Sequence, residues 1–66
     1  MNRDELRAEI SRKNITRKRI AEALGISPTG LSLKLKGCNE FKESEIKTLV
    51  SMLELTPDDV NRIFLA

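Results

Sequence analysis

The chain has 66 residues, 39% of them hydrophobic and 33% charged, with a formal net charge of +2. That length allows one domain or part of one, and a folded chain of this size hides only about 60% of the surface it exposes when unfolded. The usual staples of a small core are excluded: Cys38 is the single cysteine and cannot pair internally, and the absence of histidine removes zinc sites of the Cys/His type. Without histidine the commonest acid/base and nucleophile-activating side chain is also missing, so an enzyme is not expected. No apolar run is long enough for a transmembrane span, and the start Met1-Asn2-Arg3-Asp4-Glu5 lacks the apolar stretch of a signal peptide. The expectation is a cytoplasmic protein with a reduced thiol, no metal, no cofactor and no small-molecule ligand.

The predicted elements, in chain order, are helices over about 3–13, 17–24, 28–36, 43–54 and 57–65. Each start shows the same pattern, an apolar residue before a cap position and another five residues later, the hydrophobic staple. The pairs are Met1/Leu6, Ile15/Ile20, Ile26/Leu31, Phe41/Ile46 and Leu55/Val60, around the cap positions Asn2, Thr16, Ser27, Lys42 and Thr56. Four of these caps carry a short side-chain acceptor for free N–H groups; Lys42 does not, which makes the fourth start the weakest. Pro28 and Pro57 fall at first helical positions, Asp58 and Asp59 add negative charge to the start of the last helix, and Gly25 and Gly37 mark two helix ends. Apolar residues recur at spacings of three or four within these segments. The one stretch alternating with period two, Leu31 to Leu35, lies between a strong helix start and a glycine stop and is read as helix. The outcome is one all-α domain of five short helices spanning 1–66.

Charge is segregated along the chain. Residues 1–38 hold nine Lys/Arg and four Asp/Glu, a net of +5, whereas residues 39–66 hold three and six, a net of −3. The densest basic stretch is Arg12, Lys13, Arg17, Lys18 and Arg19. It is a candidate phosphate-binding surface; the alternative is a solvated helix face paired internally to Glu9 and Glu22.

The second and third helices are joined by Gly25, Ile26 and Ser27 alone. Two short helices linked by a three- or four-residue turn containing glycine form a helix-turn-helix, with the small Ala21 allowing close approach. Residues 16–37, TRKRIAEALGISPTGLSLKLKG, resemble the helix-turn-helix of the phage lambda-type repressor and Cro proteins, also called the xenobiotic-response-element family. The residues carrying the resemblance are Ile20, Ala21, Leu24, Gly25, Ile26, Ser27, Leu31 and Gly37. Phe41, Glu45-Ile46, Leu53 and Ile63-Phe64 extend it over nearly the whole chain, in the manner of small phage-encoded members.

That resemblance implies a five-helix, lambda-repressor-like DNA-binding domain. Its expected role is control of transcription by sequence-specific binding of double-stranded operator DNA, usually as a homodimer, in a bacterial or phage-infected cell. Its third helix would lie in the major groove. The implied groove-facing residues are Pro28, Thr29, Ser32, Leu33 and Lys36. Leu33 lies about 200° from Leu31 around a helix axis, which favours exposure over a core position. The implied phosphate contacts are Arg17, Lys18, Arg19, Ser27, Lys34 and Asn39. Arg17 stands where the family often has glutamine, and a guanidinium suits phosphate oxygens. Pro28 and Leu33 occupy places where the family has amides or arginines, so specificity would lean on methyl contacts and DNA shape.

Ile63, Phe64 and Leu65 are three consecutive apolar residues that cannot all face one small core. They are the candidate surface of a weak homodimer strengthened on DNA, the alternative being a terminal helix that simply covers the core. A rival function keeps the fold but uses the third helix, with Leu33 and Pro28, to dock another protein, as an antirepressor or transcription cofactor. A membrane-surface helix is a remote third reading that the capped, compact helices oppose.

Overall fold

In a computed structural model that describes residues 1–65, all five helices form: α1 (Arg3–Arg12), α2 (Arg17–Leu24), α3 (Pro28–Lys36), α4 (Glu43–Met52) and α5 (Pro57–Phe64), with no strand among the described residues. The cap positions are those the staple pattern marks. Asn2 Oδ1 accepts from the Glu5 N–H (3.1 Å), Thr16 Oγ1 from Arg19 (3.2 Å), Ser27 Oγ from Gly30 (3.0 Å) and Thr56 Oγ1 from Asp59 (3.2 Å). Each bond satisfies a donor that the first helical turn leaves without an intrahelical partner. At α4 the ammonium of Lys42 has no lone pair to offer, and the start is secured from the other side: Glu45 reaches back to accept from the Lys42 N–H at 2.7 Å.

Three helix ends fall short of expectation. α1 stops at Arg12 rather than residue 13, α4 at Met52 rather than 54, and α5 at Phe64 rather than 65. The first two ends share one cause. Asn14 (φ 58°) and Glu54 (φ 50°) adopt the left-handed conformation and turn the chain out of the helix. Gly25 (φ 71°) and Gly37 (φ 92°) do so with no side-chain penalty. The apolar residue after the turn folds back: the Ile26 N–H bonds to Ala21 O and the Leu55 N–H to Val50 O, both at 3.0 Å.

The helices pack in the spatial order α5, α1, α3, α2, α4, which puts α3 between α1 and α2. Leu6, Ile10, Ile20, Ala21, Leu31, Leu35, Phe41, Leu49, Leu53 and Ile63 form the core, with Ile15, Leu24, Ile26, Ile46, Met52, Leu55 and Phe64 packed against it. The N-terminus is fastened to α5 by the Asn2 N–H bonding Ile63 O at 2.6 Å. The whole measures 29 × 22 × 20 Å. None of the described helices is long and apolar enough to cross a membrane.

Ile63 is fully buried, which removes it from the expected dimer surface. Its place on α5 faces α1 across the core, so the terminal apolar run divides into buried Ile63, half-buried Phe64 and 73% exposed Leu65.

Candidate nucleic-acid interface

α3 divides its residues cleanly between two sides. Leu31 and Leu35 are buried, while Pro28, Thr29, Leu33 and Lys36 are exposed and Ser32 is half-buried. These five span about 140° around the axis, from Pro28 and half-buried Ser32 at the edge nearest Leu35 to Leu33 on the side away from the core. Leu33 is 37% exposed, so the surface of α3 carries an aliphatic side chain among two hydroxyls and an ammonium.

The start of α2 lies in the same helix pair. Arg17, Lys18 and Arg19 make up its first turn and are all exposed. Among the described residues none of the three, nor Lys13 or Lys36, forms an ion pair. The internally paired alternative holds for Arg12 alone, which meets Glu9 at 3.2 Å; Arg62 bonds the same Glu9 at 3.2 Å, and Glu22 has no cationic partner among the described residues. The first turns of α1, α4 and α5 each hold two acidic residues, whereas those of α2 and α3 hold none. Acids in a first turn compensate the positive end of the helix dipole. Only α2 and α3 therefore leave that end uncompensated, and α2 adds three cations to it. Such an end favours anions, phosphate groups above all. Ser27 and Asn39 are exposed at the two ends of α3.

Lys34 is a correction. Its side chain is only 11% exposed, and its Nζ donates to Glu45 Oε1 at 2.5 Å, 5.9 Å from the centre of the Phe41 ring. It faces α4 rather than solvent and is not placed to meet a phosphate. The helical wheel contains the warning: Lys34 lies about 60° from buried Leu31 around the axis, at the edge of the core rather than on the outer face. Burial pushes the Glu45 carboxyl up, but the hydrogen bonds from Lys34 and the Lys42 N–H together outweigh it and hold the carboxyl below its ordinary range.

Two arginines in the basic half are spent on structure, and no local pattern marks them. Arg3 Nε donates to Lys34 O at 3.0 Å and Arg7 Nη1 to Leu35 O at 2.5 Å. Both carbonyls belong to the last turn of α3, where the regular helical donors run out, Lys34 O keeping only the Gly37 N–H at 3.2 Å, and where positive charge is favourable. The partnership joins residues 31 and 28 positions apart and emerges only from the packing of α1 on α3.

Together these features define a five-helix, all-α domain in which two short helices joined by a three-residue turn, α2 and α3, carry cations that form no ion pair among the described residues. A family model described as a protein of unknown function, DUF739, matches residues 2–66, and the chain belongs to that family. No curated protein and no solved structure matches it.

Proposed function

We propose that this chain is a sequence-specific regulator of transcription that binds double-stranded DNA, with α3 in the major groove and the start of α2 on the flanking phosphates. The observation that carries the proposal is the joint surface of α2 and α3. Among the five helix starts theirs alone lack acidic residues, and Arg17, Lys18 and Arg19, the first turn of α2, form no ion pair among the described residues. Thr29 and Ser32 supply hydroxyls for base edges, Thr29, Leu33 and Pro28 supply apolar contact for thymine methyls, and Lys36 reaches a guanine or a phosphate. The mode matches the operator binding of the repressor and Cro proteins that residues 16–37 resemble, in a phage or mobile-element setting. A weak homodimer, tightened on DNA, belongs to the same proposal. Leu65 and the exposed edge of Phe64 are its contact, and half-sites about 34 Å apart are its footprint.

The exposure of Leu33 beside Pro28 favours one rival, a protein-docking surface on the same helix. Selection from a random pool of duplexes at low salt separates the two. Enrichment of a common sequence supports operator binding, and recovery of no duplex at all leaves the protein-docking reading in its place.

A further inference from the structure

We infer that the Lys34–Glu45 pair, with Arg3 and Arg7, sets the rotation of α3 about its own axis and thereby chooses which side chains meet the groove. The inference rests on the DNA-binding proposal for its functional half only.

Apolar residues alone specify the rotation of α3 poorly. Leu31, Leu33 and Leu35 alternate along it, and one of the three, Leu33, is left exposed opposite the other two. Lys34 lies on the arc between them, about 60° from Leu31 and about 100° from Leu33. Rolling α3 toward burial of Leu33 by way of residue 34 drives the Lys34 ammonium deeper into the core, where an unpaired charge is strongly disfavoured; rolling it the other way carries Ser32 and Lys36 inward and parts Lys34 from Glu45. In the observed rotation the same ammonium meets Glu45, which is itself 5% exposed and anchored by the Lys42 N–H. Arg3 and Arg7 fix the same helical turn from the opposite neighbour, through the carbonyls of Lys34 and Leu35. The polar ties thus converge on residues 34 and 35, whereas the first turn of α3, with Pro28 and Thr29, is left exposed. A buried ion pair is weak evidence for stability, since apolar substitutes are often as good, and fixing one arrangement among several is its better-attested use. Lys34, Glu45, Arg3 and Arg7 are positioning residues; they act through the orientation of Thr29, Ser32 and Leu33.

The test uses the full chain carrying Cys38→Ser and Leu33→Cys, so that one thiol reports the exposure of position 33, with and without Lys34→Met/Glu45→Gln. The glutamine keeps an acceptor for the Lys42 N–H. Two quantities are read: the rate of thiol alkylation, and, without the Leu33→Cys change, the ratio of affinities for a selected duplex and a scrambled one. The expected result is a cooperative melt, slower alkylation, an unchanged salt slope on scrambled DNA and a selectivity ratio lowered about tenfold, the value of one base contact. A purely stabilising pair would move the melting temperature and neither of these readouts. Should the double variant fail to melt cooperatively, Glu45→Gln alone is read in the same two ways. Unchanged alkylation, or unchanged selectivity in a protein that binds DNA, overturns the inference. If the unmodified chain binds no duplex, the proposed function fails and alkylation alone decides the rotational claim.

Discussion

Glu54 holds a backbone conformation that L-residues other than asparagine and aspartate rarely adopt, with φ at 50°. The left-handed region costs such a residue about 1–2 kcal/mol, because Cβ crowds the following carbonyl. Glycine removes that crowding but loses more chain entropy on folding, so Glu54→Gly is expected to stabilise the protein by about 0.5–1 kcal/mol. For a domain of this size that is a rise in melting temperature of about 4 °C or more, read by thermal denaturation. Gly25 is the mirror case. A Cβ there meets nothing within 4 Å, so the cost of Gly25→Ala is conformational alone and its melt moves down. If Glu54→Gly lowers the melting temperature, the left-handed stop at the end of α4 is not what ends the helix.

Among the helices, three of the four connections repeat one design: Asn14-Ile15-Thr16, Gly25-Ile26-Ser27 and Glu54-Leu55-Thr56. A left-handed residue ends one helix, an apolar residue packs against the core, and a hydroxyl caps the next helix. That grammar is local, which is why the five starts and the turn between α2 and α3 were legible in the amino-acid sequence. The ends at Asn14 and Glu54 were less so, because an asparagine or a glutamate does not announce a positive φ as glycine does. The roles of Arg3, Arg7, Lys34 and Glu45 were hidden for a different reason: each depends on a partner brought near by tertiary packing, 11 to 31 positions away. The division of labour between α2 and α3 gives a prediction at this scale. Thr29→Ala is expected to change which duplex is preferred. Arg17→Ala is expected to weaken all duplexes alike and to reduce the salt slope by about 1. Competition binding on the selected and scrambled duplexes reads both, and an exchange of the two effects would reverse the assignment of reading and holding helices.

At the scale of the whole molecule, the charge of the two halves is sorted into working and structural parts. Arg62 in α5 bonds Glu5, Glu9 and Asp59, which joins the last helix to the first. The Thr56 N–H and the Arg62 guanidinium hold the Asp59 carboxyl down, from an ordinary value of 3.8 to about 2. A carboxyl depressed in the folded state contributes fully above its unfolded value and is lost as pH falls toward the folded one. Asp59→Asn is therefore expected to melt below the parent at pH 5–7, with the difference closing as pH falls from about 4 toward about 2. A difference constant across that range would mean that the ionised carboxyl contributes nothing through this network.

In the positive half, Arg3, Arg7, Arg12 and Lys34 are committed to internal partners, and Lys13, Arg17, Lys18, Arg19 and Lys36 have none among the described residues. A surface of free cations around an exposed helix is worth most against a phosphate backbone, where each neutralised phosphate releases counterions. The most direct measurement is the affinity for a selected duplex as a function of salt, with the scrambled duplex beside it. Operator binding through α2 and α3 requires log affinity to fall linearly with log salt, at about 0.9 per phosphate contacted, for both duplexes, with the selected one held tighter throughout. Binding that is absent at low salt, or insensitive to salt and sequence, would contradict it.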